Sequence, residues 1–274
     1  MTLEAHALTK AYRTVVAVQD LSFVAAAGDV LGLLGPNGAG KTTAIRVMTT
    51  ILAPSAGGFA VDGIPHSRPT EIRRRIGVLP ESAGYPDRQT GIEFLRYFAR
   101  LHGHSRASAR SSAAALIADV GLAERQCSPI ASYSRGMRQR LGIARALIND
   151  PAVVFLDEPT LGLDPAGQEQ ILRVVQRISR ERGATVLLST HMLAEVEQVC
   201  SRVLILNRGR LIADGTVAEV ARRAAAPRDA TLRVPGEARD EALAALAAAG
   251  IPLLGSELDG ARLSDAFLSM TEAG

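Results

Sequence analysis

The sequence predicts an α/β fold in which a mostly parallel sheet carries helices on both faces. Three observations predict it. Continuous apolar runs, DVLGLLG (29–35), RIGVLP (75–80), AVVFLDEP (152–159), ATVLLSTH (184–191) and RVLILN (202–207), read as strands buried on both sides. Stretches of helical apolar periodicity over 41–51, 90–102, 106–120, 165–182 and 192–200 separate them. With 274 residues, 47% hydrophobic and 22% charged, the chain is long enough to bury a sizeable core and has no compositional mark of disorder.

Taken in order, LEAHALTKAY and VVAVQDLSFV near the N-terminus read as paired strands of an antiparallel β subdomain. The first buried strand and its helix follow. From about 82 to 140 the pattern is almost wholly helical, which predicts a helical subdomain inserted into the α/β order. The later strands alternate with helices up to RVLILN. After about Val220 the composition shifts: ARRAAAPRDA reads as a linker, followed by a strand, an alanine-rich helix over 239–249 and a last amphipathic segment, ARLSDAFLSMT. Residues 1–225 are thus expected to form the main domain and 226–274 a small α+β C-terminal appendage without visible chemistry. No internal repeat is visible.

Composition narrows the function. A net charge of +3, spread without a dense basic run, gives no reason to expect nucleic acid. Met1–Phe23 lacks the layout of a secretion signal, and no apolar run approaches the roughly 18 residues that cross a bilayer. The chain therefore reads as cytoplasmic. Cys127 and Cys200 are far apart and lack metal-ligand spacing, so they read as plain thiols. Among 31 basic residues only Lys10 and Lys41 are lysines, and Lys41 lies in a glycine-rich loop.

That loop is GPNGAGKTT: Gly35, Pro36, Asn37, Gly38, Ala39, Gly40, Lys41, Thr42 and Thr43. It follows a strand, opens a helix and contains G-x-x-x-x-G-K-T, the phosphate loop of a P-loop NTPase core. Gly35, Gly38 and Gly40 let the backbone wrap closely so that N–H groups converge on β- and γ-phosphates at the helix N-terminus. Lys41 adds a point charge, and the Thr42 hydroxyl is a candidate Mg²⁺ ligand. In VVFLDE a buried strand delivers Asp157, a candidate to hold Mg²⁺ through water, and Glu158, a candidate base. Neither carboxylate has an obvious partner in the sequence, and burying them is costly unless a cation is present. Alone, His191 would more often be structural, but its place after the buried strand ending LLST reverses that and sets it to donate to a γ-phosphate. In SYSRGMRQRL, Ser134 reads as the N-cap of a surface helix or as part of an anion site at that helix N-terminus.

Together these residues resemble the ATP-binding subunit of ABC transporters over about residues 2–220. The motifs fall in the family's order: GPNGAGKT as P-loop, LPE at the glutamine-loop position, YSRGM as signature, VVFLDEP and LGLD as acidic strand and D-loop, and STH as histidine switch. The resemblance implies ATP and Mg²⁺ as ligands and a head-to-tail dimer with a second ATP-binding subunit. In that dimer Ser134 and Gly136 contact the ATP held by the partner's P-loop, and Asp164 of the D-loop spans the seam. It also implies that Tyr12 stacks on adenine; the lesser alternative is a tyrosine packed on its own strand.

Two motifs depart from the family pattern. Arg135 and Met137 replace a glycine and a glutamine of the usual signature, and Glu81 stands where a glutamine usually ligates Mg²⁺. Both changes resemble the branch that works with separate ABC-2 type permeases, which include drug, sodium and polysaccharide exporters. Four of the ten aromatics, Tyr85, Phe94, Tyr97 and Phe98, crowd 14 residues after Glu81. Phe94, Phe98 and Leu101 have helix-core spacing, while in the family this region is a groove for a cytoplasmic helix of the permease. The expected function is an ATPase that energises export, peripheral on the inner face of the membrane. A soluble ABC-type ATPase acting on ribosomes or nucleic acid, and a nucleotide sensor of low turnover, are the alternatives.

Overall fold

Alternation within each buried strand organises the molecule. In the computed structural model, which describes residues 2–224 and 234–249, β7 (Val153–Asp157) sends Val153 and Phe155 to one side and Val154 and Leu156 to the other, and all four are fully buried. Its partners are β3 (Val30–Leu34), β6 (Ile76–Leu79), β8 (Thr185–Thr190) and β9 (Arg202–Asn207), with β10 (Arg210–Thr216) antiparallel at one edge. The order is β10-β9-β3-β8-β7-β6, and β9 through β6 run parallel.

One face of this sheet packs on α1 (Lys41–Met48) and on a second, antiparallel sheet of β1 (Leu3–Tyr12), β2 (Val15–Ala25), β4 (Ala56–Val61) and β5 (Ile64–Pro65), ordered β2-β1-β4-β5. The other face is covered by α5 (Arg135–Ala146) and α6 (Pro165–Arg182), and the same core continues into α3 (Gly91–Leu101) and α4 (Arg106–Asp119) of the helical subdomain. Phe155, fully buried between the layers, is a direct probe of this arrangement. Phe155→Ala is expected to cost about 3–5 kcal/mol of stability in urea unfolding. A loss below about 1 kcal/mol would mean that the site collapses freely, against close packing of the sheet.

Helix α4 ends without a basic residue in its last turn and is capped from other helices. Arg140 donates to Val120 O and Gly121 O at 3.1 and 3.0 Å, Arg177 donates to Asp119 O, and Arg182 holds the Asp119 carboxylate at 2.6 Å. Cationic side chains at carbonyl ends suit the helix dipole, so Arg140 ties the end of α4 to α5, and Arg177 and Arg182 tie it to α6.

Several elements differ from the sequence reading. The segment 52–75 supplies β4, β5 and the short α2 (Pro69–Arg73), hidden because SAGGFAVDG resembles a turn; Gly57 has φ 68°. Helix α1 stops at Met48 rather than 51, as Thr50 turns to φ 62° and the amides of Ile51 and Leu52 both fold back to Arg46 O. Helix α8 (Val217–Ala224) takes in the first four residues of the expected linker, 221–224, and is begun by a Thr216–Glu219 capping box with bonds of 2.9 and 3.2 Å. Leu101 is exposed rather than in the core, as is Tyr97; Phe94 is buried and Phe98 half-buried.

The chain divides into two compact units, Met1–Ala224 and Ala225–Gly274. In the second, Arg239–Ala248 form helix α9; the strand and the last amphipathic segment expected there lie outside the described residues. Among the described residues no helix is long and apolar enough to cross a membrane. Cys127 is exposed, whereas burial, helped by the Glu195 charge, pushes the half-buried Cys200 thiol up to about 12. Iodoacetamide at about pH 8 is therefore expected to label Cys127 alone in the native chain and both cysteines in denaturant, since the thiolate is the nucleophile. Equal native labelling would contradict the burial of Cys200.

Candidate functional site

The carboxyl ends of β3, β8, β7 and β6 lie side by side at one end of the parallel sheet, the place where open α/β sheets bind ligands. There a cleft of about 420 Å³ is lined by Ala17, residues 37–43, Glu81, Glu158, Leu161 and His191. The phosphate loop carries β3 into α1. Its Gly40 is the N-cap of that helix at φ 104° and offers no side-chain cap, so the first amides of α1 are left for a ligand. A Cβ there would meet Ala17 O at 2.3 Å, so only glycine fits. Gly38, at φ 80°, has open space where its side chain would be. A bare backbone concavity at a helix N-terminus is what a phosphate chain requires.

Lys41 is buried at the centre. Its Nζ donates to Gly35 O at 2.7 Å and Pro36 O at 3.4 Å and lies 3.4 Å from Glu158 Oε1. Glu158 Oε2 in turn lies 2.9 Å from His191 Nδ1. A carboxylate only accepts, so Nδ1 is the donor of this bond. Glu158 is buried and has φ 48°, a left-handed conformation that a non-glycine residue holds at a cost of about 1–3 kcal/mol when its surroundings enforce it. The enforcing groups are Ser189 Oγ and O, which accept from Glu158 N at 3.1 and 3.2 Å.

Asp157 stands behind the cleft, with Oδ1 accepting from Ser189 Oγ at 2.5 Å and from Thr42 Oγ1 at 3.3 Å. The two carboxylates are thus not partnerless, as the sequence reading had them. Lys41 and His191 flank one, and two hydroxyls flank the other. The reading missed Ser189 in this role; its signal was a fully buried hydroxyl one place before the end of an apolar strand, where only a polar neighbour across the sheet satisfies it. The register supplies that neighbour by setting Asp157 opposite Ser189.

Thr42 and Glu81 line the cleft together, with Asp157 against Thr42. Among the described residues no group of three or more His, Cys, Asp and Glu side chains gathers as a metal-ligand set. A donor set of one hydroxyl and separate carboxylates suits a hard cation that takes its remaining oxygens from phosphate and water.

The other candidates lie apart. Tyr12 is exposed at the end of the β1–β2 hairpin beneath Lys10 Nζ, 5.4 Å from its ring centroid, and does not line the cleft. Ser134 is the exposed N-cap of α5, accepting from Met137 N at 3.3 Å, and Asp164 the N-cap of α6, accepting from Gly167 N at 3.2 Å. The two caps adjoin: a Cβ on Gly162 would lie 2.8 Å from the Arg135 guanidinium, and one on Gly136 would lie 3.7 Å from Leu163. Signature turn and D-loop therefore share a surface outside the cleft lining.

Residues 18–161 match the family model described as ABC transporter. An uncharacterised ABC transporter ATP-binding protein of Synechocystis sp. is 40% identical over 227 residues, 80% of this chain and 64% of that protein. The daunorubicin/doxorubicin resistance ATP-binding protein DrrA of Streptomyces peucetius is 42% identical over 219 residues, 80% of this chain and 66% of that one. The chain thus spans just under two thirds of the length of these two relatives. The solved structure of an ATP-binding subunit of an ABC transporter superimposes with a TM-score of 0.73 at 31% identity, covering 90% of this chain and 100% of that one. The phosphate loop, acidic strand and histidine met above lie in one cleft of a fold shared with such a subunit: the chain belongs to the ABC transporter family, as an ATP-binding domain.

Proposed function

We propose that this chain binds and hydrolyses ATP to power a membrane exporter, closing head-to-tail on a second ATP-binding subunit with nucleotide at the seam. One observation carries the reading: buried Glu158 bridges Lys41 and His191 in the cleft formed by the phosphate loop. The loop amides from Asn37 to Thr43 and the Lys41 ammonium cradle the β- and γ-phosphates, drawing Lys41 off Gly35 O. Glu158 accepts the proton of a water that attacks the γ-phosphorus as the bond to the β-phosphate oxygen breaks, leaving ADP and phosphate. His191 orients Glu158 and the γ-phosphate. Thr42, Glu81 and Asp157 are the residues that would hold Mg²⁺, which would neutralise charge on the phosphates.

Because Ser134, Gly136 and Asp164 share a surface outside the cleft lining, they serve a second subunit's ATP: Ser134 and Gly136 cap its γ-phosphate and Asp164 spans the seam. Tyr12 stacks on the adenine. Exposed Tyr97 and Leu101 form the dock for a cytoplasmic helix of a separate ABC-2 type permease, which holds the chain on the inner face of the membrane. From that dock, Phe98 stacks on Arg145, and Arg145 donates to Val78 O at 3.0 Å in the strand leading to Glu81, a short mechanical path to the nucleotide. The name of DrrA, a drug-resistance protein, favours export.

Co-purification with a multispan membrane protein, together with ATP turnover in its presence, supports this reading; co-purification with ribosomes or nucleic acid overturns it. Glu81 adds a finer expectation. A carboxylate beside the triphosphate repels it without metal, so nucleotide affinity is expected to depend more steeply on Mg²⁺ in wild type than in Glu81→Gln. Titration of ATP binding at several Mg²⁺ concentrations checks this, and equal dependence removes Glu81 from the metal site.

A further inference from the structure

We infer that Glu195 and Thr190 are positioning residues for His191, a buried brace that fixes the loop from behind and thereby aligns Glu158. The inference rests on the proposed role of His191 and names residues that role does not include. His191 is itself exposed, at the junction of β8 and α7 (Leu193–Val199). What holds it lies beneath. Thr190 is fully buried; its Oγ1 donates to Glu195 Oε2 at 2.7 Å and accepts from Met192 N at 3.1 Å. One hydroxyl thus ties the residues on either side of His191 to a carboxylate in the first turn of α7. Met192, the N-cap of α7, makes no side-chain cap bond, so the Thr190 hydroxyl supplies the oxygen that the helix start lacks, and Glu195 places its charge at the favourable end of the dipole.

The arrangement is costly for structure alone. Glu195 is 3% exposed, and its Oε1 is buried without a hydrogen-bond partner among the described residues. Its charge is felt nearby, since it helps push the Cys200 thiol up. A half-satisfied buried carboxylate is a poor stabiliser of a seven-residue helix, and an apolar residue would fill the space with less penalty. What the carboxylate does achieve is a fixed hydroxyl, a fixed loop and hence a fixed ring, from Glu195 through Thr190 and His191 to Glu158 and Lys41. Side chains that act by orienting a catalytic group show their effect in turnover more than in substrate binding.

The test uses steady-state ATPase kinetics of the full chain with its permease. Thr190→Val, nearly isosteric, and Glu195→Ala are each expected to lower kcat by about tenfold or more, with KM for ATP within about threefold. Thr190→Ser, which keeps the hydroxyl, is expected to restore kcat. In a His191→Ala background the same substitutions are expected to change kcat by less than about twofold, because their effect passes through the ring. Losses that multiply undiminished in that background, or an unchanged kcat in Thr190→Val, overturn the brace. If instead His191→Ala alone leaves kcat intact, the role of His191 fails first and the brace with it. Should Glu195→Ala not fold, the His191 Nδ1–H resonance in Thr190→Val decides: it is expected to weaken or broaden as the bond to Glu158 loosens, and an unchanged resonance overturns the brace.

Discussion

Glu158→Gln is expected to lower ATP turnover by about a thousandfold while leaving ATP affinity within about threefold of wild type, within the range for loss of a positioned base. Glutamine keeps the shape and the oxygen facing His191 Nδ1, so the loop and helix N-terminus that bind phosphate are undisturbed. It cannot take a proton from water. The present geometry makes the base specific: Glu158 is buried, held in a left-handed conformation by Ser189, and flanked by Lys41 and His191. Asp157 has neither partner and faces two hydroxyls instead. Single-turnover kinetics alongside a nucleotide-binding titration checks the split. Residual turnover within about tenfold of wild type would move the base elsewhere.

Lys41→Met is expected to lose nucleotide binding itself. A charged donor to phosphate contributes about 1.5–3 kcal/mol per hydrogen bond, so the affinity should fall by about ten- to a hundredfold or more, and turnover with it. A second effect follows from the ion pair. Removing Lys41 leaves the buried Glu158 carboxylate, 3.4 Å from the lost ammonium, with only His191 beside it, and an unpaired buried charge destabilises the fold. The double variant Lys41→Met/Glu158→Gln should therefore regain part of the unfolding midpoint lost by Lys41→Met without regaining ATP binding. Additive losses of stability in the double variant would show that the pair is not coupled in solution.

Much of this was legible in the sequence because the responsible residues act locally. A buried parallel strand must be apolar on both faces, so all five buried runs appear as strands, and β9 and helix α6 begin and end where their patterns do. The phosphate loop reads from spacing alone, since a left-handed glycine, a helix start and a lysine are fixed by adjacent residues. What was illegible depends on register. Ser189 becomes the hub of the site because β7 and β8 set it opposite Asp157, and no local pattern encodes that pairing. Glu195 was missed because its partner, Thr190, lies across the β8–α7 junction. Elements built on glycine or broken by charge, β4 and β10, carry no clear strand pattern, and the capping box at Thr216 starts a helix that takes in 221–224, residues whose composition suggested a linker.

Where a triphosphate is held decides the mechanism, and the crystal structure of the Glu158→Gln variant grown with ATP and Mg²⁺ measures that directly. The expected result is nucleotide between two ATP-binding subunits, its phosphates against Lys41 and the loop amides of one and its γ-phosphate within hydrogen-bonding reach of Ser134 Oγ and Gly136 N of the other. ATP wholly enclosed by a single chain, with Ser134 of every neighbouring subunit distant from phosphate, would contradict it.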